Sequence, residues 1–68
     1  MVGSYRLTGP LFAICSINGH HHALTVPVDS IIDLNGKAFN GDRLMEVIWN
    51  HRKILMFTDD LKAGTVPA

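Results

Sequence analysis

The segment Leu11–Val26, with the sequence LFAICSINGHHHALTV, decides the fold of this chain. On both sides of its central Asn18-Gly19, apolar and β-branched residues favour an extended backbone. A type I′ turn needs positive φ at both central residues, which asparagine and glycine tolerate, so this dipeptide indicates a two-residue β-hairpin. The segment therefore predicts an antiparallel pair of strands in which Cys15 faces His22.

Short extended segments separated by turn signals continue along the rest of the chain. No window of the sequence has the period of a long amphipathic helix. The pattern predicts strands at residues 43–49 and 52–57, and a strand at 31–34 that the turn Asn35-Gly36 closes. It predicts a polar loop at 37–42. Residues 4–7 are a candidate opening strand, and residues 66–68 either fray or add a last edge strand.

The connections between these strands carry signals of their own. Asn40-Gly41 predicts a turn inside the polar loop, and Asn50-His51 predicts a second two-residue hairpin. Residues 58–62 predict one helical or 3₁₀ turn, capped by Thr58 or Asp59. Five or six short strands in a single domain of residues 1–68 are typical of a closed or nearly closed small β-barrel, because closure removes free edge strands.

The order of these elements resembles the SH3-like barrel. In that plan a tight hairpin, here Asn50-His51, is followed by a single 3₁₀ turn, here Phe57–Leu61 (FTDDL), before the last strand. The stretch Leu44–Leu61 is also similar to part of some short uncharacterised bacterial proteins. The resemblance covers the C-terminal third and implies an all-β fold, a small five- or six-stranded SH3-like barrel with one short 3₁₀ turn. It implies a fold rather than an activity. The peptide binding of proline-ligand SH3 domains is not carried over, because this sequence lacks their aromatic-rich acidic loops.

Composition and charge limit the classes of function. The chain has 68 residues, with six basic and six acidic side chains and a formal net charge of zero. A balanced charge argues against a dedicated binder of nucleic acid or of anionic membranes. The single cysteine excludes an intramolecular disulfide and favours the reducing cytoplasm. No apolar run approaches the roughly 20 residues of a membrane-spanning helix, so we expect a cytoplasmic protein with no membrane contact.

The high apolar content predicts a homo-oligomer. Hydrophobic residues make up 47% of the chain and charged residues 18%, while a domain of this length buries only about 60% of the surface that its unfolded chain exposes. Much apolar surface must therefore remain outside, with no net charge to keep copies apart. The alternative is a monomer with an exposed apolar face.

Alternation along the second hairpin divides its side chains between two faces. With Asn50-His51 as the loop, the predicted interior set consists of the facing pairs Trp49–Arg52, Val47–Ile54 and Met45–Met56. The set on the opposite face, which we predict to be an interface because an exposed apolar patch usually marks one, is Leu44, Ile48, Leu55 and Phe57. On that same face Glu46 and Lys53 lie diagonally and are expected to form an ion pair.

The histidine run next to the first turn is a candidate metal site. His20 and His22 share one face of a strand, and Cys15 lies opposite His22 in the predicted register. A thiolate and two imidazoles could hold zinc and leave a fourth position open. The alternative is that the histidines are solvated while Cys15 packs as a small hydrophobic residue.

A second candidate site lies at the tip of the second hairpin, where Trp49, His51 and Arg52 cluster. Tryptophan stacks on ligand rings and peptides, and arginine binds carboxylates and phosphates, so these residues are the predicted ligand contacts. The alternative is a local cation–π contact between Trp49 and Arg52. Asp59 and Asp60 read as helix-start residues rather than a catalytic pair, and the sequence indicates no catalytic residue.

Three functions remain open from the sequence. The first is a non-enzymatic, self-associating small β-barrel that acts as a protein-binding or scaffold module. The second is a binder of RNA or single-stranded DNA, with Arg43, Arg52 and Lys53 as its cationic residues. The third is a minimal oligomeric enzyme with a site between subunits and zinc at Cys15, His20 and His22.

Overall fold

The computed structural model describes residues 2–39 and 43–68, which form one antiparallel sheet and a short helix. The all-β prediction is confirmed, and the predicted turn at Asn40-Gly41 lies outside the described residues. The elements in chain order are β1 (Gly3–Leu7), β2 (Leu11–Ile17), β3 (His20–Val26), β4 (Ile31–Phe39), β5 (Leu44–Trp49), β6 (Arg52–Phe57), α1 (Thr58–Gly64) and β7 (Thr65–Pro67).

Both predicted two-residue hairpins are present with the predicted register. Asn18 and Gly19 have φ values of 52° and 79°, and Asn50 and His51 have 51° and 62°, so both central residues of each turn lie in the left-handed region that a type I′ turn requires. Cys15 faces His22 in the first hairpin. The second hairpin likewise pairs residues two by two from its loop outward.

The sheet is open, which corrects the prediction of a barrel. Its seven strands run in the order β3-β2-β6-β5-β4-β1-β7, and within the described residues the outermost strands β3 and β7 are not paired with each other. Helix α1, rather than a closing strand pair, covers the open side of the core: Leu61 is fully buried in it, and the Gly64 carbonyl accepts a hydrogen bond from the Thr8 N–H at 2.9 Å.

The strand and helix counts also differ from the prediction of five or six strands and one 3₁₀ turn. The short segments near both termini are full strands, β1 and β7, that pair with each other. β4 does not end before Asn35-Gly36 but continues to Phe39, with a register shift between Leu34 and Ala38. Gly36 has φ 84°, so what reads as a turn in the sequence is an irregularity inside a strand.

Helix α1 begins without the predicted cap. Phe57, in extended conformation, precedes its first turn, and no side chain there makes a capping hydrogen bond. The Thr58 N–H donates instead to the Arg43 carbonyl at 2.8 Å, while the buried Thr58 hydroxyl has no hydrogen-bond partner. The helix is therefore held by its packing and by Asp59 and Asp60 in its first turn, where carboxylates interact favourably with the helix dipole.

The core occupies one face of the curved sheet. Alternate residues of the strands supply it. Met45, Val47, Ile54 and Met56 of the predicted interior set are buried. The pair next to the turn departs from the prediction, because it lies at the end of the hairpin: Trp49 is partly buried and Arg52 is exposed. Tyr5, Leu11, Leu24 and Trp49 pack against its border. No helix in the described part of the chain is long and apolar enough to cross a bilayer. The buried core residues are Leu7, Ala13, Cys15, Val26, Ile32, Leu34, Met45, Val47, Ile54, Met56 and Leu61.

Candidate functional site

The solvent side of the central strands is apolar. Ile14 of β2 pairs with Leu55 of β6, and Leu44 of β5 pairs with Phe57 of β6. Phe12 and Phe57 are 66% and 43% exposed although both are large and apolar. The outer apolar patch, as we call this surface, contains the predicted interface set and two residues of β2: it consists of Phe12, Ile14, Leu44, Ile48, Leu55 and Phe57.

A buried carboxylate interrupts this patch. Glu46 lies between Leu44 and Ile48 on β5, and its side chain is only 11% exposed. It accepts a hydrogen bond from the Asn35 amide at 2.9 Å, and the Lys53 ammonium lies 3.9 Å away. The predicted Glu46–Lys53 ion pair is therefore present, and the carboxylate is partly satisfied within the sheet.

A cleft separates the C-terminal end of β2 from the N-terminal end of β6. These strands pair only at Ala13–Met56 and Ile14–Leu55, although β2 continues to Ile17 and β6 begins at Arg52. Beyond the last pair they part and leave a cleft of about 420 Å³, lined by Cys15, Ser16, Ile17, Arg52 and Lys53. We call this space the β2–β6 cleft.

A smaller recess continues the cleft onto the outer face. Its volume is about 100 Å³. Ile14 and Leu55 form its apolar side, and Glu46, Lys53 and His21 bring ionisable groups to its lining. The recess thus lies between the apolar side chains of the outer apolar patch and the ionisable side chains at the mouth of the cleft.

The predicted ligand contacts at the hairpin tip divide between two environments. Trp49 is half-buried and packs against the core border, so its indole does not stand free as a stacking platform. Arg52, its cross-strand partner, is exposed and lines the β2–β6 cleft. His51 is exposed in the turn itself. Arg52 is therefore the predicted contact that the structure places at the β2–β6 cleft.

The candidate zinc ligands do not form a metal site in the described residues. Cys15 is buried and faces His22, while His20 faces Ile17; both histidines are exposed. Within residues 2–39 and 43–68 no three His, Cys, Asp or Glu side chains gather in an arrangement that could hold a metal ion. Zinc binding stays a prediction from the sequence.

The cations invoked for nucleic-acid binding lie at opposite ends of the second hairpin. Arg43 is beside the start of α1, where its carbonyl accepts a hydrogen bond from Thr58. Arg52 and Lys53 follow the turn at the other end, and Lys53 is shared with Glu46. Strands of this length span about 20 Å, so these three side chains do not form one basic patch.

The comparisons with known proteins add no relative. Neither the protein-family models nor the curated proteins nor the solved structures match the chain. The resemblance to SH3-like barrels, the bacterial origin and the cytoplasmic location therefore stay predictions.

The sequence predicts the part of the candidate site that lies on the second hairpin, but not the part that depends on the position of β2. Alternation from the Asn18-Gly19 turn predicts that Phe12 and Ile14 share one face of the first hairpin, but their position next to Leu55 and Phe57 depends on the β2–β6 pairing. The cleft depends on where that pairing stops. No local sequence signal marks that point, because β2 keeps its β-forming character through Ile17.

Proposed function

We propose that this protein is a non-enzymatic, self-associating module that binds a second copy of itself through the outer apolar patch. The observation that supports this proposal is the exposure of Phe12 and Phe57, 66% and 43%, on the solvent side of adjacent central strands. Aromatic side chains of this kind contribute a large share of the binding energy at protein interfaces.

The charges beside the patch are complementary under a two-fold axis. Ile48 lies between Lys53 on one neighbouring strand and Asp33 on the other. A two-fold axis that runs parallel to the strands near Ile48 would bring Lys53 of each copy to Asp33 of the other, so the same surface would serve both partners. The zero net charge of the chain adds no long-range repulsion between copies.

The size of the molecule also suits this interface. A stable dimer buries roughly 800 Å² on each partner. The protein measures 31 × 24 × 18 Å, so its broad side offers an area of that order. A scaffold of dimers, rather than a lone domain, is the unit that we expect to act in the cell.

The oligomeric state tests this proposal directly. Sedimentation equilibrium over the micromolar range should show a dimer for the wild type and a monomer for the double variant Phe12→Ser/Phe57→Ser. The matched control is Val2→Ser/Val28→Ser, which removes apolar side chains that are 71% and 48% exposed but lie outside the patch. It should remain a dimer. A monomeric wild type, or equal masses for the two double variants, contradicts the proposal.

A further inference from the structure

The break in pairing between β2 and β6 leaves main-chain groups without partners. In a two-residue hairpin the residues that flank the loop exchange main-chain hydrogen bonds, and every second pair along the strands does the same. In the first hairpin these bonded pairs include Ile17–His20 and Cys15–His22. The N–H and C=O of Ser16, which lies between them, therefore point away from β3 and into the β2–β6 cleft.

The same rule applies on the opposite wall of the cleft. In the second hairpin the bonded pair next to the loop is Trp49–Arg52, so the N–H and C=O of Lys53 point towards β2. Continued pairing would join Ser16 to Lys53, but the ladder stops at Ile14–Leu55. One donor and one acceptor on each wall thus face a cleft of about 420 Å³.

The main-chain donors and acceptors that face the cleft are complementary to the main chain of another polypeptide. An extended peptide offers alternating N–H and C=O groups and so satisfies both kinds of group on a strand edge. A free phosphate or the phosphates of a DNA backbone offer acceptors alone, and would leave the Ser16 and Lys53 carbonyls unpartnered; RNA adds 2′-hydroxyl donors but not the alternating N–H and C=O groups of a peptide. Trp49 is partly buried against the core border, and it is not among the residues that line the cleft, so the cleft itself lacks an aromatic side chain on which a base could stack.

The side chains around the cleft favour an acidic peptide. Arg52 is exposed and lines the cleft, and its guanidinium makes no ion pair with the described carboxylates. Lys53 adds a second cation, which Glu46 partly neutralises at 3.9 Å. Ile17, 48% exposed, supplies an apolar contact on the opposite wall. By strand alternation Ile17 lies on the same face as Arg52, whereas Lys53 lies on the other. The acidic side chains of an alternating ligand would therefore face Arg52, and its apolar side chains would lie beside the aliphatic stem of Lys53.

We propose that the β2–β6 cleft binds an extended acidic peptide segment of a partner protein, held by the main-chain groups of Ser16 and Lys53 and by the Arg52 guanidinium. This site uses none of the six residues of the outer apolar patch, but Lys53 also takes part in the charge contact proposed between two copies. The Arg52 guanidinium and the main-chain groups of Ser16 lie outside that contact, so peptide binding is tested separately from dimerisation.

Fluorescence polarisation with a defined peptide tests the site. The probe is a hexapeptide of alternating valine and glutamate that carries fluorescein on its N-terminus and an amide at its C-terminus. It should bind the wild type and equally the Phe12→Ser/Phe57→Ser variant. A peptide with lysine in place of glutamate should bind roughly tenfold more weakly, and so should the acidic peptide methylated on its main-chain nitrogens, since each loses one of the two recognition elements.

Variants of the cleft provide the matched comparison. Arg52→Gln should weaken binding roughly tenfold, while Lys62→Gln, which removes an exposed cation of α1, should leave it unchanged. Ser16→Pro removes the N–H that points into the cleft and should also weaken binding. Its control is Thr25→Pro, which removes an N–H from the free edge of β3, away from the cleft, and should leave peptide binding unchanged.

Specific outcomes overturn the proposal. These are equal affinity for the acidic and N-methylated peptides, equal affinity of Arg52→Gln and Lys62→Gln, or loss of binding in Phe12→Ser/Phe57→Ser, which would move the site to the outer patch. Should Ser16→Pro fail to fold, the Arg52 pair and the methylated peptide still decide the matter. Dimerisation is measured without peptide, so its failure is distinguishable from failure of the cleft.

Discussion

The two hairpins are built from the same kind of sequence but occupy different positions in the sheet. Both have two-residue loops and apolar side chains on both faces. β5 and β6 lie near the centre of the sheet, whereas β3 is its edge, and the first residues of β3 are exposed on both faces. The comparison shows that strand position, rather than composition, decides which apolar residues become core.

The largest expected difference between the hairpins is the cost of removing an inward side chain. Ile54 of the central hairpin is 1% exposed, so Ile54→Ala should lower the free energy of unfolding by about 2–5 kcal/mol. Leu24 of the edge hairpin is only half-buried at the core border, and Leu24→Ala should cost roughly 1–2 kcal/mol. Urea denaturation followed by circular dichroism measures both. Equal losses would mean that β3 is as well packed as β6.

The next effect concerns the turn of the edge hairpin. Gly19 has φ 79°, a conformation in which a Cβ atom costs roughly 1–2 kcal/mol. Gly19→Ala should lower stability by about this amount, although no atom lies within 4 Å of the added methyl group. Gly9→Ala, also open to solvent and without positive φ, is the control. A Gly19→Ala protein as stable as the control would show that the turn changes type without cost.

The central hairpin should respond in the opposite sense. His51 occupies the equivalent turn position with φ 62°, where a side chain is strained. His51→Gly should raise stability by about 0.5 kcal/mol, because relief of strain exceeds the added freedom of the unfolded chain. The midpoint of thermal unfolding measures the change. A lower midpoint would indicate that the imidazole makes a stabilising contact.

The smallest expected effect is that of the charge on the outer face. Glu46→Gln keeps an oxygen that accepts from Asn35 but removes the charge facing Lys53, whose side chain is 71% exposed. Water screens such a pair, so stability should change by no more than about 0.5 kcal/mol. The control is Glu46→Leu, which also leaves the Asn35 amide without its acceptor and should cost more. Equal costs would assign the effect to the charge.

Local chemistry explains what the sequence predicts correctly. Asn18-Gly19 and Asn50-His51 set the registers of both hairpins, and alternation from those turns predicts the buried faces. The missed features depend on contacts between distant segments. Whether Asn35-Gly36 ends a strand or interrupts it depends on pairing with β5, and whether the sheet closes depends on α1 covering the core.

The same limit applies to the candidate sites. Leu44, Ile48, Leu55 and Phe57 follow from alternation within one hairpin, and the structure places them on one face. The cleft requires knowledge of which strand lies beside β2 and how far the two remain together. Cys15, predicted as a metal ligand or as a small hydrophobic residue, is buried, as the second of these interpretations predicts.

The open edge of β3 has a consequence for how the protein exchanges protons with solvent. The amides of His20, His22 and Leu24 face β2, whereas those of His21, Ala23 and Thr25 face outward, where no described strand covers them. In deuterated water, labelling along β3 should therefore alternate between high and low from one residue to the next. Successive amides of β5 should both be protected, because this strand is paired on both sides. This alternation is expected for an edge strand, in which one side is hydrogen-bonded to the neighbouring strand and the other side is exposed to solvent.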